Sequence, residues 1–166
     1  MKKLKIYIDT SAIGYLDEVT SPKEMLDMQE LWKLIKSGEY CVVISDVTFD
    51  EIHQSKNVSK VETLLNYVAE ITYERINLNT EVIKIAEMIK QNGLLASEKH
   101  YNDRLHIGYA INSECDIIVS MNFKHLVNVT TIRGARAISV LESNRNIDIM
   151  SPASLIHKEG VENNDS

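Results

Sequence analysis

An aspartate stands directly after the first apolar run of the chain, in the segment KIYIDTSAIG at residues 5–14. Asp9 ends a run with the polar and apolar alternation of a strand, and Thr10 and Ser11 follow it. Asp, Thr and Ser are common helix N-caps, because their side chains accept hydrogen bonds from free backbone N–H groups. Open α/β sheets also bind their ligands here, beyond the carboxyl ends of the strands. Asp9 alone leaves both interpretations open.

Three more oxygen-bearing side chains fall at comparable points of the chain. Glu51 lies in the predicted helix after the second strand, Asp103 begins the helix before the fourth strand, and Asn122 follows that strand. Seen singly, such residues are more often helix caps or solvated side chains. Together they bring carboxylate and amide oxygens to one edge of a sheet, which is the ligand set of hard divalent cations. Asp116 competes with Asn122, but it precedes its strand and belongs to the opposite edge.

Predicted strands and helices alternate along the chain, and these elements must position the four side chains. We predict strands at residues 4–8, 41–44, 73–78, 117–119 and 147–150. Apolar residues at helical spacing predict helices at residues 21–36, 59–70 and 131–143, with further helices opened by Ser45 or Asp46, Thr80, Asn102 and Ser151. Strands separated by helices imply an α/β fold with a mainly parallel central sheet and flanking helices. We expect one domain at residues 1–158 and a polar, disordered tail at residues 159–166.

The composition is that of an ordinary globular protein, with 44% hydrophobic and 25% charged residues. The net charge of −6 argues against a protein that holds nucleic acid by bulk electrostatics, although a local basic patch can still do so. No segment approaches the roughly 18 apolar residues of a membrane span, and the first apolar run is too short for a signal peptide. We therefore expect a cytoplasmic protein without a membrane anchor.

The two cysteines and two of the aromatic residues are predicted to serve the core. Cys41 and Cys115 each open an apolar run, and a disulfide is not expected in a reducing compartment. We interpret both thiols as core residues of adjacent strands. Trp32 and Phe123 are interpreted as core anchors rather than as platforms for base stacking.

Several segments resemble the PIN domain, and especially the VapC-type toxins of bacterial toxin–antitoxin pairs. They are YIDTSAIG, SDVTFDEI, NDRLHIGYA and CDIIVSMNFKHL, followed by IRGARAISVL and IDIMSPASLI, which are similar to the C-terminal part of one branch of these proteins. The resemblance covers residues 4–157. It implies a PIN-like fold and an endoribonuclease that uses Mg²⁺ or Mn²⁺. It also implies an RNA substrate, a small antitoxin as a possible partner, and a homodimer.

The resemblance carries over to individual site residues. Asp9, Glu51 and Asp103 match the first three acidic positions of the family, and Asn122 falls where the fourth is usually Asp. These four are the expected catalytic residues and metal ligands. Because an amide oxygen carries no charge, Asn122 weakens the case for two tightly held ions. Thr10 and Ser11 are expected to orient Asp9 or a bound water, or simply to cap the helix.

Basic side chains near the predicted site are candidates for contact with RNA phosphates. They are Lys99, His100, Arg104, Lys124, His125, Arg133 and Arg136. His106, one helical turn beyond Asp103, either reaches the site or is a helix histidine with satisfied hydrogen bonds.

Two other functions remain open from the sequence. A phosphohydrolase of the haloacid dehalogenase type also begins with a strand that ends in Asp, but it needs a second Asp two positions later, where this chain has Ser11. A catalytically weak PIN domain that binds RNA or a protein is favoured by Asn122 and disfavoured by the three retained acidic residues. A metal titration separates this second alternative from a nuclease.

Overall fold

The computed structural model of the chain contains a five-stranded parallel sheet flanked by eight helices. It describes residues 2–162, and the side chains of residues 2–157. The strands are β1 (Lys5–Ile8), β2 (Cys41–Ser45), β3 (Glu74–Ile76), β4 (Ile117–Val119) and β5 (Asp148–Met150). The helices are α1 (Thr10–Gly14), α2 (Pro22–Lys36), α3 (Asp46–His53), α4 (Val58–Ala69), α5 (Thr80–Gln91), α6 (Tyr101–Asn112), α7 (Val129–Ser143) and α8 (Pro152–Glu162).

The predicted class, an α/β fold with a parallel sheet between helices, is confirmed. All five predicted strands are present, and Gly38 and Gly93 follow α2 and α5 at φ values of +86° and +77°. Glycine adopts this left-handed backbone without a steric penalty, which explains why the two helices end there. The closing helix α8 runs past the boundary predicted at residue 158, and residues 163–166 of the predicted tail lie outside the described residues.

The strand order is β3-β2-β1-β4-β5, with every neighbouring pair parallel. The chain therefore moves outward from β1 through β2 to β3, and then crosses back to add β4 and β5 on the other side. Ile6 of β1 pairs with Val42 on one side and with Ile117 on the other. Between β1 and β4 the winding direction changes, and sheets of this kind form a crevice at the carboxyl ends of two such strands.

The core has two layers, one on each face of the sheet. Ile6 and Ile8 point into the layer that includes residues of α2, α4 and α8. Tyr7, Val43 and Ile118 point into the opposite layer, formed with α5, α6 and α7. Because both faces are covered, the central strands β2 and β4 are nearly continuous apolar runs rather than simple alternations.

Two of the predictions about core residues are wrong. Cys41 is exposed at the start of β2, and β1 separates β2 from the segment of Cys115. Phe123 is 53% exposed, because β4 ends at Val119 and Phe123 follows in a loop outside the apolar run. Trp32 is buried as predicted, and burial raises the pKa of the Cys115 thiol to about 12.

No helix in the described part of the chain is long and apolar enough to cross a membrane.

The substitution Gly108→Ala tests the close packing of α6 on α5. A Cβ atom at Gly108 would lie 2.9 Å from the carbonyl oxygen of Val82, a backbone atom that cannot easily move away. We expect the free energy of unfolding to fall by about 1 kcal/mol net, because overpacking outweighs the better helix propensity of alanine. Urea denaturation of the purified protein measures this difference.

Gly14→Ala is the matched control. Gly14 has helical backbone angles of −57° and −31°, and no atom lies within 4 Å of the added Cβ. We expect this variant to gain about 0.4–1 kcal/mol of stability. Equal effects of the two substitutions would contradict the proposed packing constraint.

Candidate active site

The structure brings the four predicted site residues to the carboxyl edge of the sheet. Asp9 directly follows β1, Glu51 lies in α3, which begins where β2 ends, and Asn122 follows β4. Asp103 lies in the first turn of α6, the helix that leads into β4. Asp116 lies at the opposite edge, where its carboxylate contacts Arg145 and the backbone N–H of Lys5, and the role of Asn122 as a site residue stays a prediction.

Asp9 is buried, with 2% of its surface exposed, and both of its carboxylate oxygens accept hydrogen bonds. The Oδ1 atom accepts from the backbone N–H of Ala12 at 2.9 Å and from the Ser11 hydroxyl at 2.7 Å. The Oδ2 atom accepts from the Ser120 hydroxyl at 2.5 Å. Asp9 is therefore the N-cap of α1, as one of the two interpretations predicted. Helix capping does not exclude ligation, because Oδ2 accepts only this one hydrogen bond and keeps a second lone pair.

The charge on Asp9 is held in an apolar environment. Burial raises the pKa of the Asp9 carboxyl, although the positive charge of His106 and the hydrogen bonds from Ser120, Ala12 and Ser11 oppose this rise. Thr10, the other residue expected to orient Asp9, instead donates its hydroxyl to Glu51 Oε1 at 2.9 Å. The first helix thus fixes two carboxylates, one through its cap and one through Thr10.

His106 is buried between the acidic residues, and it both reaches the site and has satisfied hydrogen bonds. Its Nε2 atom lies 2.6 Å from Glu51 Oε1, and its Nδ1 atom lies 2.6 Å from the Tyr7 hydroxyl oxygen. The Tyr7 hydroxyl also lies 2.6 Å from the Ser45 hydroxyl. A buried chain of hydrogen bonds therefore runs from β2 through β1 to α6 and ends at Glu51.

His106 and Glu51 form an ion pair when the imidazole is protonated, and their surroundings favour that state. Burial by itself would lower the pKa of His106, but the hydrogen bond to Glu51 and the negative charges of Asp9, Glu51 and Asp103 outweigh it, so this pKa is raised. Burial would raise the pKa of Glu51, yet the hydrogen bonds from His106 and Thr10 hold it below its usual value. The imidazolium then donates from both ring nitrogens, to Glu51 and to Tyr7.

Asp103 lies in a second cluster, with two histidines. Its Oδ2 atom is 3.2 Å from His100 Nδ1 and 3.1 Å from His125 Nδ1. Its Oδ1 atom accepts a long hydrogen bond of 3.5 Å from the Asn122 Nδ2 group, and Asn122 Oδ1 accepts from the backbone N–H of His125 at 3.0 Å. Sequence spacing relates His100 to Asp103 along one helix start, but it gives no signal that the later loop residue His125 joins them.

The spacing of the acidic groups bears on which ion they fit. Among residues 2–157, one group of three His, Cys, Asp or Glu side chains has ligand atoms that all lie within 4.8 Å, and it consists of His100, Asp103 and His125. Asp9, Glu51 and Asp103 are therefore farther apart than that as a set. Mg²⁺ keeps several water ligands and is bound directly by only one or two carboxylates, so the others at this edge can contact the ion through its water ligands.

The basic candidates for phosphate contact differ in availability. Arg104 is 2% exposed and donates to the backbone carbonyls of Leu95 and Ser97, so its guanidinium holds the preceding loop instead of facing solvent. Arg136 pairs with Asp148 at the start of β5, at the edge opposite the site. Lys99, Lys124 and Arg133 are exposed, and their contact with phosphate stays a prediction.

The substitution His106→Gln tests the ion pair, since glutamine keeps hydrogen-bonding groups and removes the charge. In metal-free buffer at pH 6 we expect the free energy of unfolding to fall by roughly 1–3 kcal/mol. The pKa of His106 is raised above 6.5 in the folded protein, so its stabilising effect is complete below pH 6.5 and is lost as the pH rises through the folded-state value. Urea denaturation between pH 6 and pH 9 should therefore show the difference shrinking.

His53→Gln is the control, because His53 is exposed at the end of α3. It should leave the stability unchanged throughout this pH range. A deficit of the His106 variant that is independent of pH, or that grows as the pH rises, would contradict a charged His106.

Comparison with known proteins shows the fold. No family model and no curated protein matches the chain. A chain of VapBC2 from Rickettsia felis, bound to a DNA fragment from their promoter, matches with a TM-score of 0.58 and 15% identity over 89% of this chain and 98% of that chain. A chain of DNA-bound VapBC from Salmonella typhimurium matches with a TM-score of 0.56 and 15% identity over 90% and 98%. The protein therefore has the PIN-like α/β fold that the sequence resemblance implied.

Proposed function

We propose that the protein is a divalent-metal-dependent endoribonuclease that hydrolyses RNA phosphodiester bonds, and that it is the toxin of a toxin–antitoxin pair. The observation that supports this most is the position of Asp9, Glu51, Asp103 and Asn122 at the carboxyl edge, beside the change of winding between β1 and β4. The same fold occurs in chains of two VapBC complexes. The position of the site and the fold it belongs to point to the same activity.

The side chains at this edge would hold Mg²⁺ or Mn²⁺ through Asp9, Glu51 and Asp103, with Asn122 as an uncharged fourth donor. When bound, such an ion supplies Lewis acidity for the phosphate and lowers the pKa of the attacking water. Ser11 and Ser120 fix the orientation of the Asp9 carboxylate by donating to both of its oxygens. Thr10 and His106 donate to the same oxygen of Glu51, Oε1, and so fix the orientation of this carboxylate.

His106 compensates the negative charge of the site. Three carboxylates at one edge repel one another, and this repulsion raises at least one of their pKa values unless a cation is near. The buried imidazolium lies in hydrogen-bond contact with Glu51 and within electrostatic reach of Asp9 and Asp103. His106 is therefore a positioning residue that keeps Glu51 ionised and correctly oriented.

RNA would approach across the loops that flank the carboxyl edge. Lys99 precedes α6, Lys124 follows β4, and Arg133 lies near the start of α7, so these exposed cations lie on elements that adjoin the site. They provide a local positive surface on a chain whose net charge is −6. Phosphate contacts of this kind set position and affinity rather than sequence preference.

The proposed partners are a small antitoxin protein and a second copy of this chain. The antitoxin is supported by the two VapBC complexes that share the fold. A homodimer is supported by the amphipathic helices predicted at residues 21–36 and 59–70. In the structure α2 exposes Leu26 and α4 exposes Val58, both on the outer surface. The cytoplasmic location also stays a prediction.

One alternative function has a specific observation in its favour. Asn122 occupies the fourth position without a charge, and its amide group already contacts Asp103 and the backbone of His125. This arrangement also suits a catalytically weak PIN domain that binds RNA or a protein. A haloacid dehalogenase-type phosphohydrolase is disfavoured, because Ser11 at the required position donates a hydrogen bond to Asp9 and offers no carboxylate.

The substitutions Asp9→Asn and Asp103→Asn test the nuclease proposal. Each keeps the size of the side chain and removes one negative charge, so we expect a folded protein whose Mg²⁺-dependent RNA cleavage falls by on the order of a hundredfold or more. Cleavage of a labelled RNA across a titration with Mg²⁺ and Mn²⁺ measures the effect, and circular dichroism checks the fold.

Asp116→Asn is the matched control, since it removes a carboxylate at the opposite edge of the sheet. It should retain the cleavage rate of the unmodified protein. Undiminished cleavage in excess EDTA would contradict a metal-dependent mechanism. RNA binding without any metal-stimulated cleavage would favour the alternative of a catalytically weak PIN domain.

The substitution Asn122→Asp tests the fourth position. A carboxylate there would strengthen the attraction for a dication by up to a few kcal/mol at an effective dielectric constant near 20. It would also face Asp103, whose Oδ1 atom now lies 3.5 Å from the amide nitrogen, so the metal-free protein should lose stability. We expect tighter Mg²⁺ binding by calorimetry and faster cleavage at low Mg²⁺. Two tight Mg²⁺ sites in the unmodified protein, or no gain in the variant, would show that residue 122 is not a ligand position.

A further inference from the structure

We propose that His100, Asp103 and His125 form a separate binding site for a first-row transition-metal ion such as Zn²⁺. The three side chains come from the short helical turn before α6, from α6 itself and from the loop after β4. This inference rests on the geometry of these three residues and not on the proposed nuclease activity. It shares only Asp103 with the acidic set at the carboxyl edge.

The distances between the potential ligand atoms match those around a tetrahedral ion. Zn²⁺ bound by nitrogen and oxygen at about 2.0–2.1 Å holds neighbouring ligands about 3.3 Å apart. His100 Nδ1 and His125 Nδ1 lie 3.2 Å and 3.1 Å from Asp103 Oδ2, and one ligand atom from each of the three residues lies within 4.8 Å of the other two.

Hydrogen bonds hold the backbone of both histidines in place. The N–H of His125 donates to Asn122 Oδ1 at 3.0 Å, and its carbonyl accepts from the Thr131 hydroxyl at 2.6 Å. The N–H of His100 donates to the Ser97 carbonyl at 3.0 Å. The two rings contact each other edge to face, with centroids 4.3 Å apart. A site fixed in this way loses little conformational entropy when an ion binds.

Asn122 supports the carboxylate that would bind the ion. Its Nδ2 group donates to Asp103 Oδ1, the oxygen that does not contact the histidines. Carboxylates that bind metal ions are commonly oriented by such a hydrogen bond to the remaining oxygen. An aspartate at position 122 would instead repel Asp103. Asparagine at this position therefore favours the site formed with the two histidines.

The chemistry of the donors selects the class of ion. Two imidazole nitrogens and one carboxylate oxygen suit Zn²⁺ and its transition-metal neighbours, whereas Mg²⁺ prefers oxygen donors throughout. His100, Asp103 and His125 keep 14%, 19% and 30% of their side-chain surface exposed, so an ion can enter from solvent and retain a water ligand.

Calorimetric titration of the metal-free, full-length protein with Zn²⁺ tests the site, with Co²⁺ absorption spectra as a report of tetrahedral nitrogen and oxygen ligation. We expect one saturable Zn²⁺ site per chain, and affinity losses of at least about tenfold in both His100→Ala and His125→Ala. Circular dichroism should show that both variants remain folded, because neither side chain belongs to the core.

Two controls separate this site from its surroundings. His53→Ala removes an exposed histidine of α3 and should leave Zn²⁺ affinity unchanged. Asp9→Asn disrupts the acidic set proposed for catalysis and should also leave Zn²⁺ affinity unchanged, so failure of the nuclease proposal would not affect this result. The assignment would be overturned by the absence of saturable binding, by an unchanged Zn²⁺ affinity in either histidine variant, or by a loss in Asp9→Asn as large as theirs.

Discussion

The ion pair between His106 and Glu51 is the contact on which the arrangement at the carboxyl edge depends. Parallel strands deliver side chains to one edge, and here the delivered groups are mostly carboxylates that repel one another. Glu51 and His106 meet at 2.6 Å, and the imidazole also reaches the Tyr7 hydroxyl. When His106 is protonated, its charge thus stabilises the acidic edge before any ion is bound. Tyr7 and Ser45 connect this charge to the two central strands.

The position of His106 follows from how α6 crosses the sheet. Gly108 allows α6 to approach α5 closely, since a larger residue would collide with the Val82 carbonyl. The start of α6 then brings Asp103 to the edge, and His106 follows one turn deeper, facing Glu51. One helix therefore supplies a charged group to each of the two clusters. The close packing of α6 on α5 therefore also sets where Asp103 and His106 lie at the carboxyl edge.

Much of this could be predicted from the sequence, because apolar periodicity and capping residues act locally. The five strands, the parallel sheet and the placement of Asp9, Glu51, Asp103 and Asn122 at one edge follow from such patterns. The partners of these side chains do not, because they are set by tertiary contacts. His125 joins Asp103 from a loop, and Arg104 turns inward onto the carbonyls of residues 95 and 97. No periodic pattern in the sequence predicts either contact.

The most direct test of a divalent-ion site at the carboxyl edge is the broadening of backbone amide NMR signals by substoichiometric Mn²⁺. We expect the strongest broadening at residues 9–12, at His106 and at Ser120, and much weaker broadening at Asp116 and Arg145 on the opposite edge. In Asp9→Asn the effect at residues 9–12 should decrease. Broadening centred on the opposite edge, or an unchanged pattern in Asp9→Asn, would contradict the site.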